Sequence, residues 1–202
     1  MNSALELAIE EFKGIDLKNI SQRSGATLNK ERIKIDYLNQ EYSIHLPEVE
    51  ISYIDNREKE VSSREKIIIL HYLNRSKGTP LSGKLIDFRE IPGGNLYYSV
   101  FENRVHKPFL KVFGEKPSLL LEASFTLKGT KTDFGDSSVR ILVFPKAPIS
   151  FIIYRGDEEF PPACKVLFDS SVYDYFTTED IVFVCEDVVG KLIDPKGHSE
   201  HG

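Results

Sequence analysis

Between Arg32 and Ile54, polar and apolar residues alternate in three short runs: Arg32 to Tyr37, Glu41 to Leu46 and Val49 to Ile54. A period of two sends successive side chains to opposite faces, so each run can bury one face and wet the other only as a strand. Asn39-Gln40 reads as the turn between the first two runs, and together the three predict an N-terminal β-meander. A meander with one apolar face needs a second layer to cover it, and the rest of the chain has to supply that layer.

The flanking patterns are helical. Ser3 to Phe12 sets Leu5, Ile9 and Phe12 at helical spacing with Gly14 as the stop, and a short second helix is expected from Asp16. Ser62 and Glu65 have the spacing of a capping box. They precede Ile67, Ile68, Leu70, Tyr72 and Leu73, apolar around most of a helix circumference as in a buried helix that ends by Gly78-Thr79-Pro80. Ile91-Pro92-Gly93-Gly94-Asn95 reads as a hinge before Tyr97, Val100, Phe101 and Val105, with Pro108 forcing a kink or restart before Gly114. Pro117 suits the first turn of a helix through Leu127, ended by Gly129. Strands return at Val139 to Phe144 and Ile149 to Tyr154. In Thr177 to Val189, Thr177 can cap a helix, Glu179 and Asp180 suit its dipole, and Ile181, Val184, Cys185 and Val188 make one face; the β-branched content leaves a strand reading open. The expected fold class is α+β, one domain over residues 1–190: a β-meander with flanking helices, a helical middle, then C-terminal strands and a helix. Residues 191–202 are expected to be a flexible tail.

Composition removes several function classes. A net charge of −5, with 31 acidic and 26 basic residues interspersed, offers no basic face for nucleic acid. The longest apolar runs, such as Pro148 to Tyr154, fall well short of the roughly 18 residues a membrane helix needs. The first residues lack the basic-then-apolar order of a secretory signal, so a cytoplasmic location is expected. Cys164 and Cys185 form neither a disulfide framework nor a metal knuckle, and no metal site is expected.

Candidate chemistry gathers at three places. Asp157, Glu158 and Glu159 lie between an apolar run and Phe160-Pro161-Pro162; a solvated acidic turn is the plainer reading, and a hard-cation site would have to recruit Asp169 or Asp174. Aromatic burial predicts that Phe160 anchors this loop in the core. His71 sits among apolar neighbours, as a hydrogen-bonded core histidine or as a ligand or acid/base group. Arg89 and Glu90 precede the Pro92-Gly93-Gly94 hinge, whose backbone amides at a helix start suit an anion, although no phosphate-binding glycine motif follows. Tyr97, Phe101, Tyr154, Phe160 and Phe168 are candidate pocket walls or core. The tail carries His198 and His201, metal-binding only adventitiously. No nucleophile elbow and no zinc-protease motif occur.

The order His71-Tyr72-Leu73, Phe88-Arg89-Glu90-Ile91-Pro92-Gly93-Gly94, Tyr154-Arg155-Gly156-Asp157-Glu158-Glu159-Phe160-Pro161 and Leu167-Phe168-Asp169 resembles the domain of unknown function 3786 family, over roughly Leu5 to Val189. That resemblance implies a setting in anaerobic one-carbon, corrinoid or redox metabolism, since some members carry a four-cysteine iron–sulphur module. It transfers no catalytic residues and names no cofactor. This sequence has two cysteines and no such cluster. The expected function is a cytoplasmic ligand-binding or accessory domain. Its candidate site comprises His71, Arg89, Gly93, Gly94, Tyr154, Asp157, Glu158, Glu159 and Phe160, with hinge and acidic loop sharing one cleft. Two alternatives stand beside it: an enzyme using His71 or a loop carboxylate as acid/base with Arg89 as electrostatic partner, and a structural partner of a corrinoid or iron–sulphur protein.

Overall fold

Tyr37, the last residue of the first alternating run, stacks on Phe144 at a centroid distance of 4.6 Å, and Phe144 stacks in turn on Tyr72 at 4.1 Å. These three rings join the meander, a later strand and a buried helix into one core, in an α+β fold. The structure is a computed structural model that describes residues 3–30 and 32–195, so His198 and His201 lie outside the described residues.

The chain opens with α1 (Ala4–Lys13) and α2 (Leu17–Ser24), capped by Ser3 and Asp16 respectively. The meander follows as an antiparallel sheet in chain order: β1 (Thr27–Asn29), β2 (Arg32–Tyr37), β3 (Gln40–His45) and β4 (Glu50–Tyr53). Strict alternation in β2 buries Ile33, Ile35 and Tyr37. The β2–β3 turn is Leu38-Asn39, one residue before the expected Asn39-Gln40. Both residues have positive φ, 49° and 63°, as a two-residue hairpin matching strand twist requires, and Gln40 already pairs with Tyr37.

Next comes α3 (Ser63–Arg75), whose Ser62–Glu65 capping box forms as expected; the same Glu65 carboxylate also accepts from Tyr42 and Tyr53. The second sheet has the order β5-β9-β8-β7-β6, from β5 (Leu85–Asp87), β6 (Thr130–Lys131), β7 (Ser137–Phe144), β8 (Ala147–Tyr154) and β9 (Ala163–Asp169). Residues 165–169 belong to strand β9. It closes a hairpin with β8 and pairs at long range with β5.

The helical middle is one nearly continuous rod: α4 (Gly94–Phe101), a π-helical turn over Glu102–His106, and α5 (Lys107–Phe113). Pro108 sits in the first turn of α5, where its missing N–H costs least, so it marks a restart. A short α6 (Leu119–Ala123) precedes a 3-10 turn over Ser124–Leu127. The last element, α7 (Thr178–Ile193), is a helix, capped by Thr177 as expected, and runs past Lys191, where the tail was expected to start. Ile181, Val184, Cys185 and Val188 are all buried, so packing overrides their β preference. Among the described residues no helix is long and apolar enough to cross a membrane.

Candidate functional site

The first turn of α7 is the place where candidate residues from distant parts of the chain converge. Thr177 caps it by accepting from the Asp180 N–H, and the Asp180 carboxylate returns to the Thr177 N–H and hydroxyl through Oδ2. That uses one carboxylate oxygen. The other, Oδ1, accepts from Nδ1 of His71 at 2.7 Å, from the middle of α3. Asp180 is 4% exposed, so its charge is stable there only because three donors answer it.

His71 is therefore neither a plain core histidine nor an isolated surface one. Its Nδ1 is committed to Asp180, whereas Nε2 has no hydrogen-bond partner among the described residues and is not one of the sealed atoms lacking a partner. With a third of the side chain exposed, that nitrogen is presented to solvent. The Asp180 hydrogen bond raises the imidazole above its ordinary value, against burial pulling it down, and Glu11 adds to the rise. Burial acts to raise Asp180, but the His71 and Thr177 hydrogen bonds outweigh it and hold the carboxyl below its ordinary range. Both directions describe one ion pair. A carboxylate-oriented imidazole with an open Nε2 can donate or accept a proton, or bind a ligand atom in a fixed direction.

The hinge touches the same turn from elsewhere. The Thr178 hydroxyl donates to the Pro92 carbonyl, and a Cβ built on Gly93 would lie 3.5 Å from that hydroxyl oxygen. Thr178 and Asp180 are two positions apart, about 200° around a helix, so hinge and His71 grip different faces of α7. Gly93, the N-cap of α4, has φ 79°, a conformation that favours glycine; a Cβ on Gly94 would meet the Phe88 carbonyl oxygen at 1.9 Å. Gly93 serves the left-handed backbone, and Gly94 the close backbone packing. The Gly94 N–H is spent on Ile91, and Arg89 lies over the Tyr98 ring at 3.7 Å, on the hinge side.

The acidic loop is the tip of the β8–β9 hairpin, closed by the Tyr154–Ala163 pair. Asp157 folds it upon itself: Oδ1 accepts from the N–H groups of Glu159 and Phe160, and its own N–H donates to the Phe160 carbonyl. The Phe160 hydrogen bond, then that of Glu159, holds the Asp157 carboxyl below its ordinary value. The expected Phe160 anchor is corrected here. The ring is 67% exposed, because backbone hydrogen bonds to Asp157 order the loop without burying the side chain. Glu158 and Glu159 are exposed, and Tyr154 is half-exposed at the end of β8. Of the candidate pocket walls, Phe101 and Phe168 are core, packed with Phe88, whereas Tyr97 keeps an exposed face. The contacts thus link His71 and the hinge through α7, while the Asp157 carboxylate of the acidic loop is satisfied within its own hairpin.

Sequence reasoning missed Asp180 as the partner of His71. The one local signal was the three-residue spacing from Thr177, which identifies a cap and says nothing of a histidine 109 positions earlier. A family model described as Domain of unknown function (DUF3786) matches residues 16–191. Among curated proteins and among solved structures, none matches the chain.

Proposed function

The chain belongs to the DUF3786 family, and on that premise we propose a cytoplasmic ligand-binding or accessory domain that serves a corrinoid or iron–sulphur protein of anaerobic metabolism, with His71 as the group that meets the ligand. One observation carries this reading: His71 is aimed outward through Nε2 while a buried, capped carboxylate fixes Nδ1. The Nδ1 contact answers the buried Asp180 charge and so has a structural role of its own; the same contact fixes the direction of the open Nε2, and a binding group gains affinity when its geometry is set before contact. The test is anaerobic titration of the purified protein with hydroxocobalamin and, separately, with a purified corrinoid iron–sulphur protein. Saturable binding to either, lost in a folded His71→Gln variant, is the expected result. Binding to neither, or binding that His71→Gln leaves intact, overturns the proposal.

The same dyad supports a second reading, in which His71 acts as an acid/base group in an enzyme. An imidazole oriented by a carboxylate through Nδ1 and open at Nε2 is the arrangement proton transfer requires. The readings part at Asp180→Asn. An accessory site keeps its complex, weakened, whereas an enzyme keeps its complex and loses turnover.

A further inference from the structure

The two sheets meet at an open seam, where a groove of about 770 Å3 runs between the β2–β3 hairpin and the β6–β7 edge. Its two sides carry opposite charge. Asp36 and Glu41 come from the first sheet and Asp55 from the bend after β4; Arg140 comes from the second sheet and Lys128 from the end of the 3-10 turn before β6, with Leu142 beside them, 52% exposed. Asp36 and Glu41 are directly opposed in the β2–β3 ladder, an arrangement that costs stability because the like charges repel at strand spacing. Among the described residues neither has an ion-pair partner, and neither does Lys128 or Arg140. The fold therefore holds unneutralised charge of both signs around one opening.

That opening is braced. The Leu38 N–H donates to Val143 at 3.0 Å and the Asn39 amide to Thr126 at 2.9 Å, tying the hairpin turn to β7 and to the 3-10 turn before β6. Lys128 has φ 50° and is held there by its N–H to Phe125. Sides fixed in advance lower the ordering cost of binding. Among the described residues, no trio of His, Cys, Asp or Glu is placed to share a metal ion, so the acidic side suits an organic ammonium over a compact divalent cation.

The geometry points to a binding site for a small zwitterion: its ammonium group against Asp36 and Glu41, its carboxylate against Arg140 and Lys128, and its apolar spacer along Leu142. Arg140 supplies the planar fork that a carboxylate accepts in two hydrogen bonds, and Lys128 adds a point charge. The site uses none of the residues at the head of α7 and stands apart from the reading given for His71.

Amide NMR spectra of isotope-labelled protein, titrated at millimolar levels with β-alanine, γ-aminobutyrate and ε-aminocaproate, test the proposal. Hexylamine, hexanoate and calcium serve as single-charge probes. At least one ω-amino acid is expected to shift the amides of Glu41, Lys128 and Arg140 saturably, with hexylamine and hexanoate binding about tenfold more weakly or worse, as loss of one charged contact implies. Glu41→Gln and Arg140→Gln should each weaken the zwitterion by a similar factor; both positions are exposed, so the fold should survive. The proposal is overturned if no ω-amino acid binds saturably, if hexylamine or hexanoate binds as well, if calcium alone reproduces the shifts, or if neither variant weakens binding.

Discussion

The head of α7 and the tip of the β8–β9 hairpin each hold a carboxylate below its ordinary pKa, by opposite means. Asp157 is at the surface and satisfied by its own loop, whose amides lie two and three residues ahead. Asp180 is buried and takes donors both from its own cap and from α3. Water can replace any donor that Asp157 loses; none can readily reach Asp180. The Asp157 carboxylate therefore orders only its own loop, whereas one buried acid couples two helices and orients the imidazole between them.

Asp180→Ala breaks that contrast most severely. It removes a buried ion-pair member and half of a capping box, and should cost about 3 kcal/mol or more in chemical denaturation. Asp180→Asn, which keeps the shape, should cost less. Gly94→Ala probes the hinge itself, which reaches α7 through Pro92: its methyl meets the Phe88 carbonyl, and moving it should cost about 2 kcal/mol, measured in the same way. An unchanged midpoint for Gly94→Ala would remove the close-packing account of the hinge.

Titration sharpens the comparison. His71 is raised on folding, so its share of stability is complete below about pH 6.5, the unfolded histidine value, and drains as pH climbs through the higher folded value. Asp180 is lowered, so its share is present above the unfolded carboxylate value of about 3.9 and is lost as pH falls through the lower folded value. Unfolding free energy against pH should therefore lose this pair's contribution on both sides of a plateau. His71→Gln should cost about 1 kcal/mol on that plateau and flatten the alkaline limb. An alkaline limb unchanged in the variant would assign the loss to another group. The smallest effect belongs to the hairpin tip, where Phe160→Ala should alter stability by less than about 0.5 kcal/mol in a thermal melt.

Much of the α7 head was legible in pieces. Thr177 as a cap, the acids of the first turn and the apolar face of Ile181, Val184 and Val188 all follow from short-range spacing, because caps and helix faces are satisfied within four residues. The Ser62–Glu65 box and the alternating strand β2 were legible for the same reason. Strand β9 was not, since its place in the sheet depends on pairing with β5, far earlier in the chain, as well as with its hairpin neighbour β8. Phe160 misled because an aromatic between acids and prolines signals burial only when no local hydrogen bond orders the loop in its place.

The sequence by itself determined the α+β class, the meander, the helix caps and the glycine hinge, since each depends on periodicity or on backbone preferences felt within a few residues. Only the tertiary structure decided that His71 meets Asp180, that Arg89 lies over Tyr98, and that charged groups of both signs from distant parts of the chain surround one groove. Those pairings join residues far apart in the chain. They are selected by how the aromatic core of Tyr37, Tyr72 and Phe144 docks the sheets and helices, and by the cost of burying an unanswered charge.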